Sequence, residues 1–169
     1  HISDLIIRLS STLDEWEEHY EIEKSSGDPG NRLLSLIPKI TKKTGKQVVI
    51  LVDEYDRPIL DNIADISTMQ EMRDCLKNFY GSIKPLDLHL KFVLLTGVSK
   101  FAKTGIFSGL NNLRDITLNE GYSAICGYTH DDLKTVFREY LDDLDLNAVK
   151  NWYNGYSWTG ESVYNPFDI

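Results

Sequence analysis

The chain has 169 residues, 41% of them hydrophobic and 26% charged, with a net charge of −8 and a pI near 4.9. The acidic balance argues against a broad nucleic-acid-binding surface, and no apolar run approaches the roughly 20 residues of a membrane span. Two cysteines without C-x-x-C spacing, together with the lack of an N-x-S/T sequon, point to a reducing cytoplasm. The four histidines form no pair at metal-ligand spacing, so zinc finds no support. A start at His1 rather than Met suggests an excised piece or a trimmed chain.

Residues 3–21 place Leu5, Ile6, Leu9, Leu13, Trp16 and Tyr20 at spacings of three and four, which predicts an amphipathic helix. Its other face, around residues 14–18, is acidic and is expected to be solvated. After the loop S-S-G-D-P-G-N at 25–31, Asp28 and Pro29 cap and start a second helix carrying Leu33, Leu34, Ile37 and Ile40. Gly45 stops that helix, and Pro38 is expected to kink it.

Residues 47–53 then read as a strand whose unbroken apolar run, V-V-I-L-V, suits a parallel strand buried on both faces. Asp53 and Glu54 stand where it ends. In an open α/β sheet that is the ligand-binding edge, and two successive carboxylates there suit phosphoryl transfer, one holding Mg²⁺ and one orienting a water; the equal alternative is a buried strand that enters an acidic loop. A short helix starts at Pro58. Thr68 and Glu71 form a capping box for a longer one carrying Met69, Met72, Leu76, Phe79 and Ile83. After a turn at 84–89, residues 91–97 give a second buried strand, completing a βαβ unit.

Residues 98–113 read as a loop with at most a helical turn near 109–113, and 115–118 as a short third strand. A helix over 129–144 presents Leu133, Val136, Phe137, Tyr140, Leu141 and Leu144 on one face; a shorter one follows at 146–153. The tail to Ile169 is rich in aromatic residues. With little positive charge beside them, these aromatics suit a lid core or an inter-domain contact better than a base-stacking platform.

Three groups are expected at one sheet edge: Asp53 and Glu54; Thr96 and Ser99 at the next strand end; and Arg114, with Lys100 and Lys103 as weaker cations. Taken singly, the hydroxyls could be strand-end caps and Arg114 a surface ion-pair residue. No G-x-x-x-x-G-K-[ST] phosphate cradle occurs in the chain, so nucleotide affinity is expected to be very weak.

The strings V-D-E-Y-D-R-P-I at 52–59, L-T-G-V-S-K-F at 95–101 and F-S-G-L-N-N-L-R-D-I-T at 107–117 resemble the AAA-ATPase-like family of bacterial and archaeal proteins. C-G-Y-T-H-D-D-L at 126–133 and Y-N-G-Y-S-W…V-Y-N-P-F-D-I at 153–169 share the resemblance. It implies a partial P-loop NTPase-type parallel sheet with flanking helices over 1–121, and a helical lid-like subdomain over 122–169. It also implies ATP and Mg²⁺ as cofactors of the parent protein, with Asp53 as the Walker B metal carboxylate and Glu54 as the catalytic base. Thr96 and Ser99 would be the sensor-1 region, with Thr96 also facing the nucleotide. The N-terminal Walker A segment and a C-terminal nuclease-like domain would be partners in cis. In the usual strand order 5-1-4-3-2, a missing strand 1 would separate strand 5, at 115–118, from the others, which predicts rearrangement, domain swapping or self-association. The competing reading is a non-catalytic protein–protein interaction module. A metal nuclease built on Asp53, Glu54 and Asp56 ranks last, because no lysine follows at close spacing.

Overall fold

The computed structural model describes residues 1–98, 105–107, 109–141, 144–157 and 159–168, with backbone alone for Asn154 and Tyr156. Contacts divide the chain into two units, His1–Leu113 and Arg114–Ile169.

The first unit begins with α1 (Ile2–His19) and α2 (Pro29–Thr44). The start of α2 follows from its punctuation: the Asp28 side chain accepts from the amides of Gly30 (3.0 Å) and Asn31 (3.2 Å), and Pro29 opens the first turn. Its end is Gly45 at φ 69°, the left-handed region that glycine reaches without a Cβ clash. Pro38 lies within this helix. Leu33, Leu36, Ile37 and Ile40 bury one stripe of α2 against Leu13 of α1 and Leu86.

β1 (Val48–Val52) and β2 (Leu90–Leu95) pair in parallel, from Val48 opposite Leu90 to Val52 opposite Leu95, with an irregularity between Val48 and Val49. Between them run α3 (Arg57–Leu60), α4 (Ile66–Gly81) and a 3₁₀ turn at Lys84–His89. Met72, Leu76 and Tyr80 of α4 join Tyr55, Ile59, Ile83, Ile106 and Leu110 in a core, against which Ile50, Val52, Val93 and Leu95 pack.

The expectation of strands buried on both faces is corrected. Exposure alternates along β1, and Val49 (48%), Leu51 (68%) and Phe92 (53%) are open on the face away from that core. The apolar run looked two-sided, but among the described residues helices cover one side. The start of α4 also moves: Asp65, not Thr68, is the cap, accepting from the Ser67 and Thr68 amides and from the Thr68 hydroxyl. An aspartate three positions upstream supplies a charged acceptor for two amides, and Thr68 becomes part of its hydrogen-bond set. The acidic stretch of α1 is not fully solvated either. Glu17 is wholly buried, held by Arg32 of α2.

In the second unit, α5 (His130–Val136) is capped by Thr129 in a reciprocal box with Asp132. It ends at Phe137, followed by a 3₁₀ turn at Arg138–Tyr140, rather than running to residue 144. Leu133 is buried, while Val136, Tyr140 and Leu144 of the expected apolar face are exposed, so packing does not sustain a longer helix. α6 (Leu146–Tyr153) follows as expected, then β3 (Asn154–Tyr156) antiparallel to β4 (Val163–Tyr164). In the aromatic tail Tyr164 is buried, whereas Trp152 and Phe167 are exposed.

The strand expected at 115–118 is absent. The Asp115 carboxylate accepts the Thr117 amide at 3.0 Å, and the Asn119 amide bonds the Ile116 carbonyl at 3.0 Å. Local side-chain bonding of this kind offers the backbone a turn in place of a ladder. The picture of a third strand cut off from the other two therefore falls away.

Candidate functional site

The carboxyl ends of β1 and β2 remain laced together beyond the strands. The Thr96 amide donates to the Val52 carbonyl (2.8 Å), and the Tyr55 amide donates to the Thr96 carbonyl (2.9 Å). This backbone exchange sets the two side chains expected at the edge face to face: the Thr96 hydroxyl donates to Asp53 Oδ1. The same carboxylate oxygen accepts the Glu54 amide at 2.9 Å. Asp53 is exposed and Thr96 half-buried, so the carboxylate side of the pair opens to solvent.

Glu54 occupies an uncommon conformation. Its φ is 52°, in the left-handed region that costs a residue with a Cβ about 1–3 kcal/mol and that clusters at functional sites. Glu54 Oε2 receives Arg57 Nη1 at 3.3 Å, while Arg57 Nε reaches Asp61 Oδ1 at 2.8 Å. The Asp61 carboxylate, and then Glu54, raise the Arg57 guanidinium above its ordinary value. Arg57 therefore stays charged beside Glu54, a neighbour that the motif contains but that the sequence reading left without a role.

Beside this pair lies a buried layer. Asp56 is wholly buried and accepts the Val98 amide at 3.3 Å. Tyr55 and Tyr80 are buried beside it. Burial, followed by Tyr55 and Asp56, pushes the Tyr80 phenol far above its usual value, so it remains a neutral donor at ordinary pH.

Of the remaining expected residues, Ser99, Lys100 and Lys103 lie outside the described residues. Arg114 is exposed and opens the second unit. Among the described residues no group of three or more His, Cys, Asp or Glu could hold a metal ion, which removes support for a nuclease-type centre on Asp53, Glu54 and Asp56. One exposed carboxylate with a hydroxyl upon it does suit Mg²⁺, which keeps several waters and is held by one or two carboxylates together with substrate phosphates. Among the same residues no helix is long and apolar enough to cross a membrane.

A parallel strand pair and the helices that cross between the strands define an α/β protein, with an acidic, hydroxyl-bearing edge beyond the carboxyl ends of its strands. More particularly, the chain belongs to the AAA-ATPase-like family, whose model, described as a predicted AAA-ATPase, matches residues 1–107. That span contains Asp53, Glu54 and Thr96. The chain is also 52% identical over 166 residues to a protein of Azotobacter chroococcum mcd 1 described as an uncharacterized protein in the vnfD 5' region. The match takes in 98% of this chain and 32% of that relative, so the chain spans about a third of the relative's length. No solved structure matches.

Proposed function

We propose that this chain carries the Walker B and sensor part of a Mg²⁺-dependent ATP-hydrolysing protein. Asp53 would hold the metal. Glu54 would take the proton of the attacking water, and Thr96, with Ser99 beyond it, would sense the γ-phosphate. Arg114 would offset phosphate charge, and residues 122–169 would form the lid. The observation that carries this reading is the hydrogen bond from Thr96 to Asp53 across two adjacent parallel strand ends. It joins the carboxylate and the hydroxyl at the edge where α/β sheets bind their ligands. The left-handed Glu54 supports it, since that strain sits at the residue given the catalytic role.

Mg²⁺ held by Asp53 would supply positive charge against the nucleotide's phosphates. The chain's own work would then be to hold Asp53 toward the metal through the Thr96 hydroxyl and the Glu54 amide, leaving the Glu54 carboxylate to orient water. Turnover is assigned to the longer protein, which would supply the phosphate cradle. Glu54→Gln in that protein keeps Mg·ATP binding and stops hydrolysis; hydrolysis at the parent rate overturns the role. A non-catalytic interaction module is the second reading, drawn from the apolar open face at Val49, Leu51 and Phe92. A longer protein that neither binds nor hydrolyses Mg·ATP favours that one.

A further inference from the structure

A buried carboxylate is expensive unless its surroundings compensate it, at a cost of several kcal/mol. Asp56 is wholly buried, and although it stands at the N-cap of α3, its side chain makes no capping bond to that helix. Packing alone would be met more cheaply by an apolar residue. Among the described residues, Asp56 reaches across to the segment after β2, where its Oδ1 takes the Val98 amide at 3.3 Å.

The residue between Thr96 and Val98 fits the same purpose. A Cβ at Gly97 would stand 2.5 Å from Tyr55 Cε1 and 2.7 Å from Asp56 Oδ1, closer than real contacts allow. Gly97 is thus the residue that lets the segment after β2 lie directly on Asp56. Among the described residues four links join the two strand ends: the Thr96–Val52 and Tyr55–Thr96 backbone bonds, the Thr96–Asp53 side-chain bond and the Asp56–Val98 bond. The first three hold Thr96 itself, and the fourth holds the chain two residues on.

We propose that Asp56 is a positioning residue of this site: its buried carboxylate fastens the segment after β2 to the end of β1 and so fixes Thr96 against Asp53. The proposal rests on the reading of Asp53 as the metal carboxylate. Asp56 touches neither metal nor nucleotide in this account. It acts through Val98 and Gly97 on Thr96.

The test combines two readouts on the chain and its Asp56→Ala, Asp56→Asn and Gly97→Ala variants. The first is amide hydrogen exchange at Val98, with Leu94 inside β2 as the control for folding. The second is affinity for Mn²⁺, used in place of Mg²⁺ and followed by electron paramagnetic resonance, with Asp53→Asn as reference. A hydrogen bond to a charged group is worth roughly a tenfold to hundredfold change in an equilibrium. Asp56→Ala is therefore expected to speed Val98 exchange at least about tenfold, leave Leu94 protected, and weaken Mn²⁺ binding about tenfold. Asp56→Asn, which keeps an oxygen acceptor, recovers most of both. Should Asp56→Ala also lose protection at Leu94, Gly97→Ala carries the same comparison. Unchanged Val98 exchange, or unchanged Mn²⁺ affinity beside a clear loss in Asp53→Asn, overturns the proposal. If the parent chain binds no Mn²⁺ without the phosphates that complete the site, Val98 exchange decides the tie alone.

Discussion

Arg32→Met is the sharpest probe of what holds the first unit together. In the parent, Arg32 Nη2 lies 2.5 Å from Glu17 Oε2 and 2.6 Å from Asp14 Oδ1, and Nη1 donates to the Ser10 carbonyl at 3.3 Å. The guanidinium side chain is 8% exposed and Glu17 not at all, whereas Asp14 is 44% exposed. Removing Arg32 therefore lets Asp14 return to water but strands Glu17, leaving the Ser25 amide at 3.1 Å as its remaining described donor. Loss of one member of a buried pair typically costs about 3–5 kcal/mol. That is a large share of the 5–15 kcal/mol typical of a folded domain. Urea unfolding followed by circular dichroism should show a much lower midpoint with an unchanged slope. The double variant Glu17→Leu, Arg32→Met removes both charges and should recover most of the loss, because the penalty belongs to the uncompensated carboxylate. A single variant costing under about 1 kcal/mol, or a double variant no better than the single, refutes the reasoning.

Acid should weaken the protein in a defined direction. The Arg32 hydrogen bond holds Asp14 below its ordinary 3.8, and the Thr68 and Thr129 hydroxyls do the same for Asp65 and Asp132. Their folded values are depressed, so the unfolded chain binds more protons in this range. The stabilisation is present above 3.8 and is lost as pH falls through the folded values. A urea midpoint that rises on acidification through that range contradicts this. In the second unit, Gly127→Ala would place a Cβ 2.6 Å from Val163 Cγ2 and 2.8 Å from the Tyr164 carbonyl oxygen. Such overpacking costs about 1–3 kcal/mol. Thermal melting should register it, while Gly160→Ala, whose Cβ would meet Ser123 Oγ at 3.4 Å, should melt close to the parent.

How much of this was legible in the sequence depended on whether the signal was local. α2 is announced by Asp28, Pro29 and Gly45, residues that act on their own backbone, and both ends fall where they point. The parallel pair and the approach of Thr96 to Asp53 follow from two apolar runs whose polar residues stand only at their ends. Burial of Glu17 was hidden because its partner lies 15 positions away on another helix, and an acidic run gives no sign of which carboxylate turns inward. Ile116 and Leu118 imitate a strand by alternation, but Asp115 captures the backbone first. Likewise the period of residues 129–144 is helical throughout, yet the helix stops at Val136, and Val136, Tyr140 and Leu144 of that face are exposed. Gly97 looked like ordinary punctuation after a strand, and its function shows only when Asp56 is seen pressed against it.

The paired backbone bonds between Tyr128 and Tyr164, reinforced by the 2.8 Å contact of His130 Nδ1 with the Tyr164 hydroxyl, tie together two stretches 36 positions apart. During synthesis the segment around Gly127 and Thr129 leaves the ribosome well before the strand that completes it. At about 5–20 residues per second that interval lasts a few seconds, while the first unit, whose long-range contacts end earlier in the chain, is already able to close. The two units therefore mature in sequence, and the second waits on a tyrosine near the far end of the segment it organises.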